Sequence, residues 1–170
     1  MLRLLKITSF FFAIGFASCI TDGESYSDSW SIADGAKLPE FQIATSEGHI
    51  FSSSDLADSV AVIVFFNTDC IDCRKELPEI QKAYEQTRES TAWIAIGRDQ
   101  DKDKAANFWI ENHLTIPYAP QQNRKIYSLF AAEGIPRLYI ADNQVIVAQF
   151  APEQLHGVDA LINKLKEFTR

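Results

Sequence analysis

The chain alternates short, β-branched apolar runs with longer stretches in which apolar residues recur every three or four positions. Val60–Phe66 is an unbroken apolar run of seven residues, which predicts a strand buried on both faces. Ala92–Gly97 predicts a second buried strand. Between them Leu77, Ile80 and Tyr84 fall at helical spacing and predict a helix with one apolar face. Upstream, Leu38–Ile43 and His49–Phe51 flank the turn residues Ser46-Glu47-Gly48 and predict a strand pair, followed by a brief helical turn at Ser54–Leu56. Downstream, the pattern predicts a helix over 101–113 with Ala105, Phe108 and Trp109 inward, then a short extended piece at 116–118. A further helix is predicted over 123–132, with Ile126, Leu129 and Phe130 inward. Gly134–Ile140 reads as a strand opened by Pro136, 141–144 as a tight turn, and Val145–Phe150 as the returning hairpin strand. A last helix is predicted from Pro152, carrying Leu155, Val158, Leu161, Leu165 and Phe168. The β-α-β-α-β-β-α order implies an α/β domain, a mixed sheet between helical layers.

The first residues have a different character. Arg3 and Lys6 precede an apolar stretch, Ile7–Ala17, that is short for a membrane span and reads as a secretory signal over residues 1–18. Its end, Phe16-Ala17-Ser18-Cys19, resembles a bacterial lipobox with Phe16 where leucine is preferred, which implies lipid attachment at Cys19; the alternative is an ordinary signal peptide. Residues 19–37, rich in Ser, Asp and Gly, read as a flexible tether, and 38–170 as one domain of about 130 residues. The formal net charge of −7 argues against nucleic-acid binding, which favours basic patches.

Two of the three cysteines, Cys70 and Cys73, stand where the first buried strand hands over to the predicted helix. Unpaired N–H groups and the positive end of the helix dipole stabilise a thiolate there. Cys70 is therefore the expected nucleophile. Cys73, about one turn further on, is the expected resolving thiol, able to attack a mixed disulfide formed by Cys70. A zinc site is disfavoured, because zinc takes four ligands while Cys19, His49, His113 and His156 are scattered without pair spacing; no metal is expected. A static disulfide is also disfavoured, since a two-residue loop constrains the unfolded chain little.

Cys70-x-x-Cys73 after a buried strand, Pro78 five residues beyond, and Gly134-Ile135-Pro136 opening a later strand resemble the thioredoxin superfamily, most closely its membrane-anchored TlpA/ResA-like branch. The resemblance implies a thioredoxin-like fold with an N-terminal β-strand pair and a cis bond before Pro136. It also implies a substrate-binding edge at Ile135 and Pro136, and no bound cofactor. Glu76, three residues after Cys73, matches a glutamate of that branch and is implied as its proton partner. The chain departs from the pattern at Asp69, where many relatives have tryptophan, at Ile71-Asp72 between the cysteines, and at Val64, where thioredoxin has a buried acid. Arg137 after the proline is unusual, and is either a solvated side chain or a cation near the thiolate.

The implied function is thiol–disulfide exchange with client proteins outside the cytoplasm, in the reducing direction. Electrons would come from a membrane thiol–disulfide donor, with a lipid anchor on the cell envelope. Asp69 and Asp72 beside Cys70 favour that direction by opposing a thiolate. A peroxiredoxin-like peroxidase is the alternative enzyme, although its Pro and Thr positions hold Ile63 and Asn67. A non-enzymatic binding or assembly module is the third reading.

Overall fold

The computed structural model describes residues 32–151, 154 and 157–169. The predicted signal, Cys19, most of the tether, and Leu155 of the last predicted helix lie outside these residues. The sheet is built from β3 (Val60–Phe66), β4 (Ala92–Gly97), β5 (Tyr118–Ala119), β6 (Arg137–Asp142) and β7 (Val145–Phe150), while β1 (Gln42–Ala44) and β2 (Ile50–Ser52) form a separate antiparallel pair. Strand order is β5-β4-β3-β6-β7, with β3–β4 and β4–β5 parallel and β3–β6 and β6–β7 antiparallel. This is the thioredoxin-like fold, with the mixed sheet and N-terminal strand pair that the sequence pattern implies.

Every residue of β3 is buried, so its side chains divide between two cores. Val60, Val62, Val64 and Phe66 join residues of α1 (Ile71–Thr87), α2 (Lys102–Glu111) and α3 (Val158–Lys166). Ala61, Ile63 and Phe65 face the other way, into Leu38, Phe41, Tyr127, Phe130 and Tyr139. Phe65 there meets Tyr127 and Tyr139 edge-on, at ring-centre distances of 5.4 and 6.0 Å. Gln81 on α1 ties the two sides of the crossover together. Its Oε1 accepts from the Thr115 and Ile116 N–H groups (2.9 and 3.1 Å) and its Nε2 donates to Thr115 Oγ1.

Three sequence expectations change. The helix predicted over 123–132 is a single 3-10 turn at Tyr127–Leu129, in which Leu129 points outward (45% exposed) and Tyr127 inward. A three-residue turn repeats differently from a 3.6-residue helix, so Tyr127 is buried in place of Leu129, while Ile126 and Phe130 are buried as expected. The last helix begins at Val158, after Gly157 at φ 101, rather than at Pro152. Residues 32–37, read as tether, belong to the folded body: Ile32 N–H bonds Phe130 O and Gly35 N–H bonds Ile146 O. The β6–β7 turn closes on two residues, Asn143 and Gln144, both at positive φ as a tight hairpin twist demands.

Leu77, fully buried, and Leu129, turned outward, should respond oppositely to truncation. Leu77→Ala should cost about 2–5 kcal/mol in denaturant unfolding, the range for a buried leucine, and Leu129→Ala no more than about 0.5 kcal/mol. Equal losses would contradict the turn assigned to 127–129.

Candidate functional site

Phe66 ends β3, and the next two residues, Asn67 and Thr68, are bound to the loop that follows β4. Asn67 Nδ2 donates to the carbonyls of Arg98 and Asp99, both at 3.0 Å, while its Oδ1 accepts from the Asp69 N–H at 2.7 Å. Gln100, 1% exposed, meets Thr68 twice: its Oε1 accepts from the Thr68 N–H and its Nε2 donates to Thr68 Oγ1. Gly97 makes this approach possible, because a Cβ there would collide with the Gln100 side chain. The turn before the cysteines is thus held on both sides by amide side chains.

That turn delivers Cys70 to the N-cap of α1, with φ −83 and ψ 124, and Cys73 to its first turn. Both are free thiols. Cys70 is half-buried and donates its S–H to the Ile135 carbonyl at 3.5 Å. Cys73 is fully buried, packed with Phe66 and Leu77. Burial pushes the Cys73 thiol far up; a hydrogen bond from the Asn67 backbone and the charge of Arg98 oppose this, and Cys70 adds to it. Pro78 lies inside α1, which runs on unbroken past it.

Opposite Cys70, the Ile135–Pro136 peptide bond is cis. Pro136 is buried and Ile135 half-buried, packing against both cores. Glu76 is half-buried in α1, one turn beyond Cys73. Cys70, Cys73 and the Ile135–Pro136 segment are thus neighbours at the start of α1, Glu76 follows one turn later on the same helix, and Cys19 is outside the described residues.

Two electrostatic expectations need correction. Arg137 is not a solvated side chain. It is fully buried, paired across β3 with Phe65, and its Nε donates to the Glu133 carbonyl at 2.8 Å. The cation acting on Cys73 is Arg98, whose guanidinium lies 5.1 Å from the Tyr127 ring centre. Asp69 and Asp72 are not bare charges either. Lys104 Nζ reaches Asp69 at 2.8 Å, giving it a close counter-charge, whereas Lys75 approaches the exposed Asp72 only to 3.9 Å. Asn67, Gln100, Gly97 and Arg98 had no assigned role in the sequence reading. Their signal was faint: a polar tetrapeptide, Arg98–Asp101, directly after a buried strand ending in glycine.

Among the described residues, no group of three or more His, Cys, Asp and Glu side chains is arranged to hold a metal, and no helix is long and apolar enough to cross a membrane.

The Cys73 thiol also sets a pH dependence. Its folded-state proton is held above the ordinary value of 9.0, so its contribution to stability is complete below that pH and is lost as the unfolded chain ionises above it. The stability of the reduced protein relative to Cys73→Ala should decline from about pH 9 upward. Urea unfolding under reducing conditions measures this, and a difference that stays flat or grows would contradict the buried, protonated thiol.

The sequence signature of the AhpC/TSA family matches residues 35–150. The chain is 25% identical over 138 residues to a protein named thiol-disulfide oxidoreductase ResA from Bacillus cereus, covering 78% of this chain and 80% of that one. It is 22% identical to the ResA of Bacillus subtilis, over 78% of this chain and 77% of that one. The solution structure of a Bacteroides thetaiotaomicron protein described as a disulfide isomerase superposes with a TM-score of 0.77 at 24% identity, over 83% of this chain and 92% of that one. With the thioredoxin-like fold in place and the family signature spanning most of the described residues, the chain belongs to the AhpC/TSA family.

Proposed function

We propose that this protein is a thiol–disulfide oxidoreductase that reduces cysteine-containing client proteins outside the cytoplasm. The observation that carries the reading is an asymmetric pair of reduced thiols at the start of α1. One, Cys70, is half-exposed and faces the cis-proline segment; the other, Cys73, is buried behind it. The ResA-named relatives bear the same activity in their names.

In the reaction, Cys70 gives up its proton at the helix N-terminus and attacks one sulfur of a client disulfide. A Cys70–client disulfide forms, and the second client sulfur leaves as a thiolate that takes a proton. Cys73 then loses its proton, with Glu76 as acceptor, and attacks the Cys70 sulfur. The Cys70–Cys73 disulfide forms, the first client sulfur departs, and the client has gained two electrons. Ile135 and Pro136 receive the client backbone in extended form.

Burial of Cys73 keeps a second thiolate from stabilising the reduced pair, which favours a reductant over a strong oxidant. A membrane thiol–disulfide partner returns the electrons. Residues 1–18 act as the export signal, lipid on Cys19 holds the domain to the cell envelope, and the chain up to the folded body forms the tether. A peroxidase reading has less support: Ile63 is buried in mid-strand, and the Asn67 amide is occupied by the Arg98 and Asp99 carbonyls.

Two experiments test this. Cys73→Ser should accumulate mixed disulfides with clients, and Cys70→Ser should neither trap nor reduce them; the reverse pattern would exchange the roles. Cys19→Ala should release the protein from membranes or leave its precursor unprocessed, because anchoring by more than one acyl chain is what makes attachment stable. Wild-type protein found wholly soluble would defeat the anchor.

A further inference from the structure

Three successive residues before the cis proline differ in how their carbonyls are used. The Ile135 carbonyl accepts the Cys70 thiol proton at 3.5 Å. The two carbonyls before it are held from inside the protein. Tyr127, fully buried, donates its hydroxyl to Gly134 O at 2.7 Å, and Arg137, fully buried, donates Nε to Glu133 O at 2.8 Å. Arg137 also hydrogen-bonds the Tyr139 side chain, whose hydroxyl donates to Phe130 O at 3.1 Å. Both ends of the 130–134 connection are therefore pinned by one guanidinium and two phenols.

A buried guanidinium is a costly way to build a loop, since its desolvation has to be offset by well-placed acceptors. Its planar fork is suited to holding separate acceptors in a fixed relation. Gly134, at φ 83, adopts the left-handed turn that brings its carbonyl to Tyr127.

We propose that Tyr127 and Arg137 are positioning residues that fix Ile135 as a docking edge for an extended polypeptide, making protein disulfides rather than small disulfides the preferred substrates. The inference rests on the thiol–disulfide exchange reading above. The edge is coupled to the chemistry. When Cys70 becomes a thiolate it loses the S–H that occupies the Ile135 carbonyl, so that oxygen is freed for a client N–H in the step that joins client to enzyme. A small disulfide has no backbone to use it.

The test compares pre-reduced wild type, Tyr127→Phe and Arg137→Lys in single-turnover reduction of insulin and of hydroxyethyl disulfide, with folding checked by circular dichroism and melting. For Tyr127→Phe the insulin-to-small-disulfide rate ratio should fall about five- to tenfold, the worth of one buried hydrogen bond, with the loss in apparent KM for insulin. Arg137→Lys should move the ratio in the same direction; if it does not fold, Tyr127→Phe decides alone. An unchanged ratio in folded Tyr127→Phe, whether both rates drop together or neither does, overturns the positioning role. Wild type that reduces neither substrate overturns the exchange reading itself.

Discussion

Val60–Phe66 has no exposed side chain along its length, and that burial governs where chemistry can occur in this chain. All seven of its side chains are apolar, and an ionised group among them would lose its hydration and need a buried partner. The first polar residues after it, Asn67 to Cys70, are thus also the first positions where a reactive side chain can sit against the core and still meet solvent. The fold then starts α1 at that point, with Cys70 as its N-cap and Cys73 in its first turn.

From this placement comes the difference between the two cysteines. The N-cap position leaves Cys70 beside the cis-proline segment, while one turn of helix carries Cys73 under the surface and into the core that holds Phe66 and Leu77. Depth separates the two otherwise identical side chains, Cys70 being partly exposed and Cys73 fully buried. Burial dominates at Cys73, outweighing the Asn67 hydrogen bond and the Arg98 charge. The loop that sets these depths is itself held by neutral amides, Asn67 and Gln100, which bond backbone and hydroxyl groups without adding charge near the thiols.

Much of this was legible in the chain. The limits of β3, β4 and β7 follow from their apolar runs, and the gathering of Cys70 and Cys73 at a strand–helix junction follows from the change of period between Phe66 and Leu77. The proximity of the Ile135–Pro136 segment to Cys70 came from the family resemblance, since no local pattern links Cys70 with Ile135, 65 positions away. What could not be read were interactions fixed by tertiary contact. Arg137 looks like a surface charge until β6 is placed beside β3, where register sets it opposite Phe65 among Tyr127 and Tyr139. Asp69 looks like an uncompensated acid until α2 brings Lys104 to it. The 3-10 turn at Tyr127–Leu129 was misread because its apolar residues fit a helical repeat equally well over so short a span.

Cys70 and Cys73 are thus proposed to form an exchanging pair that reduces client disulfides. The most direct test is the equilibrium reduction potential of that pair, measured by incubating the protein in glutathione buffers and quantifying thiol and disulfide forms. The account predicts a value near that of thioredoxin, about −270 mV. A potential well below about −300 mV would mark an inert structural bond, and one near about −120 mV a strong oxidant; either would contradict it.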